Sequence, residues 1–445
     1  MTLSFLPVFT EAQQQREEQY RKDFDYFLEA IQQDYCYWDK KQTDWARVKT
    51  IYAPALDTVH SRSGFVTLLE DILYELYDHH AGLSTNTSES QRLVPTGTDL
   101  WAEYNREGKP VIVEVRRGFG AFTEGLKPGM EIKAFNDIPI DEAIKPFLGK
   151  SFRSMPQDAK NYALRVLLAG KHNRSRKITI NTQPGEKDFY PDEPGNFLEG
   201  NKYKEDLETK IYDDIGYIRI NNSLGNNDLI SSFDSALLKM QNTKALILDL
   251  RETPSGGNTT VARAILGSFI TKDGFYQKHE LTAEQRQFGV KRSWVEIVSP
   301  RSHPYIKPLV VLVDHWTGSV GEGIAIGFDA LKRATVIGTK MAGLNGAIYS
   351  YTMPNTGIGF SFPVEKLFHV NGLPREDYVP GILVKPSSST SDDILNRALQ
   401  ELKRKQGRKW QANWSKESNR YKMASNPVAY RKTNSMLLLC HYCNP

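Results

Sequence analysis

Two runs of branched apolar residues constrain the fold of this chain most. Ala245-Leu-Ile-Leu248 and Pro308-Leu-Val-Val-Leu-Val313 are continuous rather than alternating, and each leads through a glycine-bearing turn into a helical pattern. A strand that is apolar on both faces must be covered on both faces, the situation of parallel strands flanked by helices. The surrounding segments keep this alternation. Ile215 to Ile220 reads as a strand, Leu229 to Met240 as a helix, Lys244 to Asp249 as a strand, Val261 to Phe269 as a helix, Val310 to Val313 as a strand and Val320 to Leu331 as a helix. An α/β region over 206–400 is therefore expected.

The rest of the chain has different periods. Phe24, Phe27, Leu28 and Ile31 recur at helical spacing, as do Phe65, Leu68, Leu69, Ile72, Leu73 and Leu76, so 11–90 reads as a small helical domain. Over 93–182 short strands such as Pro110 to Val115 and Lys177 to Ile180 lie among glycines, with one helix from about Pro156 to Leu168, and a second, β-rich domain is implied. Residues 183–205 are rich in Pro, Gly, Asp and Glu and read as a linker, and 401–445 as a basic, solvated extension. The whole is a multidomain α/β chain without an internal repeat.

Composition removes several function classes. A net charge of +4 over 445 residues, concentrated near the C-terminus, is unlike a nucleic-acid enzyme, which is basic throughout. No apolar run approaches the roughly 18 residues of a spanning helix. Leu3 to Phe9 is apolar but short and lacks a basic start, so it reads as a trimmed leader remnant or a docked terminus, and no intact signal peptide is visible. Three cysteines, Cys36, Cys440 and Cys443, do not make a disulfide framework. With neither a Walker loop nor a His-Glu-x-x-His motif, and with scattered histidines, no metal or other cofactor is expected.

The segment Asp314-His-Trp-Thr-Gly-Ser-Val-Gly-Glu-Gly323 places Ser319 where a buried strand ends and a helix begins. The first N–H groups of a helix are unpaired and lie at the positive end of its dipole, so the Val320 N–H is suited to an oxyanion formed on a carbonyl that Ser319 attacks. Equally, Ser319 and Glu322 spell a capping box that only starts the helix. Leu248-Asp-Leu-Arg-Glu-Thr-Pro-Ser-Gly-Gly-Asn258 likewise ends a strand in a Gly-Gly turn, where Gly256 or Gly257 can bring an N–H close to a substrate, or can simply turn the chain. A base for the serine is sought among nine histidines. His79 and His80 in Tyr77-Asp-His-His-Ala-Gly-Leu83 are candidates that also suit a helix C-terminus, and Glu376 in Pro374-Arg-Glu-Asp-Tyr-Val-Pro380 is an acidic loop residue.

Taken in this order, four segments over about Phe24 to Ala398 resemble the tail-specific (C-terminal processing) serine peptidase family, which includes tricorn protease and the interphotoreceptor retinoid-binding protein modules. Leu76-Tyr-Asp-His-His-Ala81 resembles its Leu-x-Asp-Ser-His-Thr, Ala121 to Ile132 its PDZ segment, Ala245 to Asn258 its Asp-Leu-Arg-x-Asn-x-Gly-Gly strand, and Thr317-Gly-Ser-Val-Gly-Glu322 its nucleophile turn. Leu344 stands where the Ser–Lys members carry the lysine of a Gly-Lys-Gly turn, and Lys340 is four residues too early. The layout is similar to the tricorn-like branch, which uses a histidine, a serine and a glutamate.

The resemblance implies a ClpP/crotonase-like catalytic domain behind a PDZ-like one, with Ser319 as nucleophile, His80 as base and Glu376 orienting the base directly or through a bridging residue. Val320 and Gly257 or Gly256 would hold the oxyanion. It further implies peptide or protein substrates, C-terminal tails lying along Leu100 and Trp101, and a periplasmic or extracellular site. Two other readings stay open: a catalytically silent relative that binds a hydrophobic ligand or peptide, and an esterase, which the lack of a Gly-x-Ser-x-Gly elbow disfavours.

Overall fold

The computed structural model describes residues 11–172, 174–183, 185–193, 203–387 and 391–405. The described residues up to Ala398 form one compact unit, and those from Leu399 form a second, whose described part, 399–405, is helical. Leu3 to Phe9, Cys440, Cys443 and the basic run beyond 405 lie outside the described residues.

The expected parallel sheet is present. Its strand order is Ile382–Leu383, Thr335–Gly338, Leu309–Val313, Ala245–Asp249, Ile215–Ile220 and Leu207–Tyr212, all parallel except the last pair. Every residue of Ala245–Asp249 and Leu309–Val313 is buried, which is why both read as unbroken apolar runs. Helices Thr259–Gly267 and Val320–Ala330 follow these two strands and pack on each other, so both helix N-termini lie at the carboxyl edge of the sheet.

A second sheet, antiparallel, joins Arg292–Val298, Gly274–Leu281, Gly359–Phe368 and Gly82–Leu83, with Ala347–Thr352 on the other side of Gly359–Phe368. The strand–helix alternation expected over 206–400 does not include it. Helices Glu11–Asp34, Trp45–Leu56 and Arg62–Leu73 form as their apolar spacing predicts, the last capped by Ser61, whose side chain accepts the Gly64 N–H at 3.0 Å. Their apolar faces share one core with Met353, Ile358, Phe360, Phe362 and Val364 of the antiparallel sheet.

The third sheet runs Leu100–Tyr104, Pro110–Val115, Glu131–Phe135, Ile178–Asn181 and Glu186–Phe189, and helix Gln157–Ala169 packs against its first strand. It is fastened internally by Arg176, which donates to Asp99 at 2.8 Å and to Asp192 at 2.6 Å, all three side chains being fully buried.

Candidate active site

After strand Leu309–Val313 the chain is laid directly on the turn that follows the neighbouring strand. Thr317 Oγ1 donates to the Leu250 carbonyl at 3.1 Å, and the Gly318 N–H donates to the Thr253 carbonyl at 3.2 Å. Ser319 then adopts φ 51°, in the left-handed region that side-chain-bearing residues avoid. Such backbone strain persists only where the surroundings impose it, and it concentrates at functional sites. The capping box also forms, with the Ser319 N–H held by Glu322 Oε2 at 2.8 Å. Helix initiation and serine presentation thus coexist in one turn.

Gly256 makes room for this serine. Its φ is +65°, and a Cβ there would lie 2.5 Å from the Ser319 Cβ, so no larger residue fits. Its N–H already donates to the Thr253 carbonyl at 3.1 Å, whereas Gly257 lines a cavity of about 180 Å³ together with Ser319 and Val320. Of the two glycines expected as oxyanion donors, Gly257 is therefore the better placed. Val320, as the first residue of its helix, has an N–H without an intrahelical acceptor.

His80 is delivered by a sharp turn. Tyr77 closes a 3-10 turn with φ 32°, and the chain leaves it through Asp78 and His79 before pairing at Gly82–Leu83. Asp78 accepts the His80 N–H at 2.9 Å, the Tyr35 hydroxyl at 2.7 Å and the Asn345 side-chain amide at 2.8 Å. The Asn345 carbonyl lies 2.6 Å from His80 Nδ1. A carbonyl can only accept, so Nδ1 carries the proton and the neutral ring keeps its lone pair on Nε2. Burial first, and then the Arg375 guanidinium, push the His80 pKa down to about 4, so the ring is unprotonated at neutral pH. His79 is instead stacked on Tyr162 at 4.5 Å.

Glu322 ties the two halves together. Fully buried, it accepts from the Ser319 N–H, the Gly343 N–H at 3.0 Å and the Leu344 N–H at 3.2 Å, with Arg375 3.9 Å away. The loop that holds His80 and the turn that presents Ser319 therefore share one carboxylate. Burial raises its pKa to about 7 against the pull of Arg375.

The structure brings Ser319, Val320 and Gly257 into one cavity and fastens His80 to the Asn345–Gly346 segment, of which Gly346 lines that cavity. Glu376 lies elsewhere: it lines a neighbouring cavity with Glu322 and Arg375, accepting from Lys40 Nζ at 2.8 Å and from the Tyr37 hydroxyl at 3.3 Å. The acceptor at His80 Nδ1 is the Asn345 carbonyl; Glu376, expected to orient this ring directly or through a bridging residue, makes no direct bond to it among the described residues. Leu344 is buried, its Cδ1 3.3 Å from where a Cβ on Gly318 would sit, and Lys340 is exposed on the Glu376 cavity. Neither residue supplies a Ser–Lys pair.

Leu100 is wholly buried in the core of its sheet and lines no groove, whereas Trp101, buried and stacked on His315 at 4.8 Å, lines the cavity shared by Glu322, Arg375 and Glu376. An edge strand that packs on Gln157–Ala169 has its side chains in contact on both faces.

Residues 214–384 match peptidase family S41, and residues 16–74 match the tricorn protease C1 domain. Among solved structures, mature CPAF complexed with lactacystin is 16% identical, with 87% of this chain and 97% of that chain covered, at TM-score 0.57. A putative peptidase from Parabacteroides merdae is 17% identical over 86% of this chain and 96% of its own, at TM-score 0.53. The photosystem II D1 C-terminal processing protease is 15% identical over 83% and 95%, at TM-score 0.52. At these identities the likeness is one of fold.

Proposed function

The chain is a serine-type peptidase whose residues 214–384 belong to peptidase family S41, and on that premise we propose that Ser319 is its nucleophile and His80 its base. The observation that carries the reading is the backbone of Ser319, held at φ 51° at a helix start, against a glycine and inside a cavity shared with two candidate oxyanion donors. His80 Nε2 takes the Ser319 proton as Oγ adds to the scissile carbonyl. The Val320 and Gly257 N–H groups stabilise the resulting oxyanion, each worth about 2.7–4 kcal/mol in comparable sites. His80 then protonates the leaving amine, and water deacylates the serine by the same route. Asn345, braced by Asp78, keeps the ring in the required tautomer. Glu376 acts at one remove, as the partner of Lys40 and Tyr37 beside Arg375.

The sign of the pH dependence follows from His80. Its neutral form is the active one and its pKa is about 4, so kcat/KM on a peptide should hold as pH falls through 6.5 and collapse only near 4. A pH–rate profile checks this, and an acid limb centred at 6.5 would remove His80 in this environment as the base.

Selection of substrates by their C-termini is the narrower part of the proposal. Leu100–Tyr104 is the edge strand of its sheet, the position to which a peptide tail adds as a further strand. The strand would then contribute backbone groups rather than the side chains of Leu100 and Trp101. The Leu100 N–H and carbonyl are taken by Thr98 Oγ1, at 3.3 and 2.9 Å, and the Tyr104 N–H by Asn161 at 2.9 Å, so pairing is confined to the middle of the strand. Peptides with a free C-terminus are expected to bind at least about tenfold more tightly than their amidated forms, a difference of about 1.4 kcal/mol. Equal affinities in a titration would count against tail recognition.

A further inference from the structure

The cavity that holds Ser319 is bounded on the side of the antiparallel sheet by Gln277, on strand Gly274–Leu281. This side chain is 3% exposed, and its Oε1 finds no hydrogen-bond partner among the described residues. Buried polar atoms are almost always paired, so an orphan that lines a cavity beside a nucleophile marks a place for a ligand group. The rest of the side chain is held: Gln277 Nε2 lies 3.0 Å from His279 Nε2, and His279 Nδ1 lies 2.7 Å from Glu365 Oε2. The imidazole is further fixed by stacking on Trp294 at 5.0 Å. Gly323, one helical turn beyond Ser319, lets the amide lie against the helix: a Cβ there would come within 3.1 Å of Gln277 Oε1.

We propose that Gln277 is the specificity-determining residue of the subsite beside Ser319, and that it selects a carboxamide side chain, glutamine or asparagine, on the acyl side of the cleaved bond. The complement of an amide is another amide, which offers one donor and one acceptor edge. His279 can bond Gln277 in two ways, as a neutral ring accepting from the N–H group or as a cation donating to the oxygen, and a substrate carboxamide matches the amide in both orientations. An aliphatic side chain of the same length leaves the Gln277 amide unpaired in a closed space, the situation in which a site built around a hydrogen bond discriminates strongly. A cationic side chain meets the buried Arg375 of the same cavity.

The assignment rests on Ser319 as nucleophile. Its test is a set of fluorogenic peptides identical except for Gln, Met, Lys or Glu at the residue before the cut, with fluorophosphonate labelling of the same preparations. Wild-type kcat/KM should favour Gln over Met by about 10- to 100-fold. In Gln277→Met that preference should vanish, and in Gln277→Glu, which still accepts from a carboxamide, it should persist. Wild-type protein that cleaves the Gln and Met peptides equally overturns the assignment, and this outcome needs no variant to fold. Retention of the preference by Gln277→Met overturns it too. Absence of labelling at Ser319 overturns the nucleophile reading and this one with it, whereas labelling without side-chain selectivity overturns this one alone.

Discussion

Ser319→Ala is expected to lower peptide hydrolysis by at least about 10⁴-fold while leaving the thermal unfolding midpoint near that of the wild type. Removing Oγ leaves no atom to form the acyl intermediate, while the fold loses only the hydroxyl's half of the capping box, a cost of about 0.5–2 kcal/mol, and keeps the Ser319 N–H on Glu322. His80→Ala should lose a comparable factor, because without an acceptor for its proton the serine is a poor nucleophile. The two changes should not multiply: residues that act as a unit are strongly non-additive, so the double variant should be close to either single one. What survives should come from the cavity and the proposed oxyanion donors. Hydrolysis by either variant at the wild-type rate would remove that residue from the mechanism.

Glu322→Ala carries the largest expected effect on stability. It strips an acceptor from three N–H groups, those of Ser319, Gly343 and Leu344, and leaves the buried Arg375 without its nearest carboxylate. Removing one member of a buried charged network typically costs about 3–5 kcal/mol. A urea titration should show the midpoint falling accordingly with the slope nearly unchanged. Activity should fall as well, since Ser319 and the loop that holds His80 are joined through this one side chain.

Glu322→Gln should be milder, and its pH dependence is informative. Because the folded-state pKa is raised to about 7, the contribution of Glu322 to stability is complete below the ordinary carboxylate range and is lost as pH rises through about 7. Glutamine cannot ionise, so the variant should lack this part of the wild-type slope between pH 5 and 8. A variant whose stability runs parallel to the wild type across that window would show that the burial of Glu322 does not raise its pKa.

The sequence conveyed the parallel sheet because burial on both faces leaves a mark that needs no partner to interpret. Leu246 and Val311 are apolar whatever lies beside them. It did not convey the antiparallel sheet. Gly274 to Leu281 carries Gln277, Lys278, His279 and Glu280 among few apolar residues, because one part of that strand serves a polar cluster rather than a core. A strand with that content does not alternate cleanly.

The site divides in the same way. Ser319, Val320 and the Gly-Gly turn were visible because each belongs to one local strand–turn–helix segment. The partner of His80 was not, since Asn345 lies 265 residues away and meets it through a backbone carbonyl, a contact that any residue type can make. Asn345 does lie between Gly343 and Gly346, both at positive φ, and a turn of that kind beside a nucleophile helix is a signal that can be sought. Glu376 stood in the right order along the chain, but order does not reveal that Lys40 and Tyr37 claim its carboxylate. Leu100 shows the converse error, since an apolar residue at a sheet edge was read as groove lining where packing makes it core.

The central claim is that Ser319 is activated by His80, and the most direct measurement is reaction with a fluorophosphonate probe followed by mass-spectrometric location of the adduct in wild type and His80→Ala. A single adduct on Ser319 in the wild type, lost or slowed by at least about 10²-fold in His80→Ala, is the predicted result. A folded wild-type protein that acquires no adduct, or one whose Ser319 labels equally fast without His80, would contradict it.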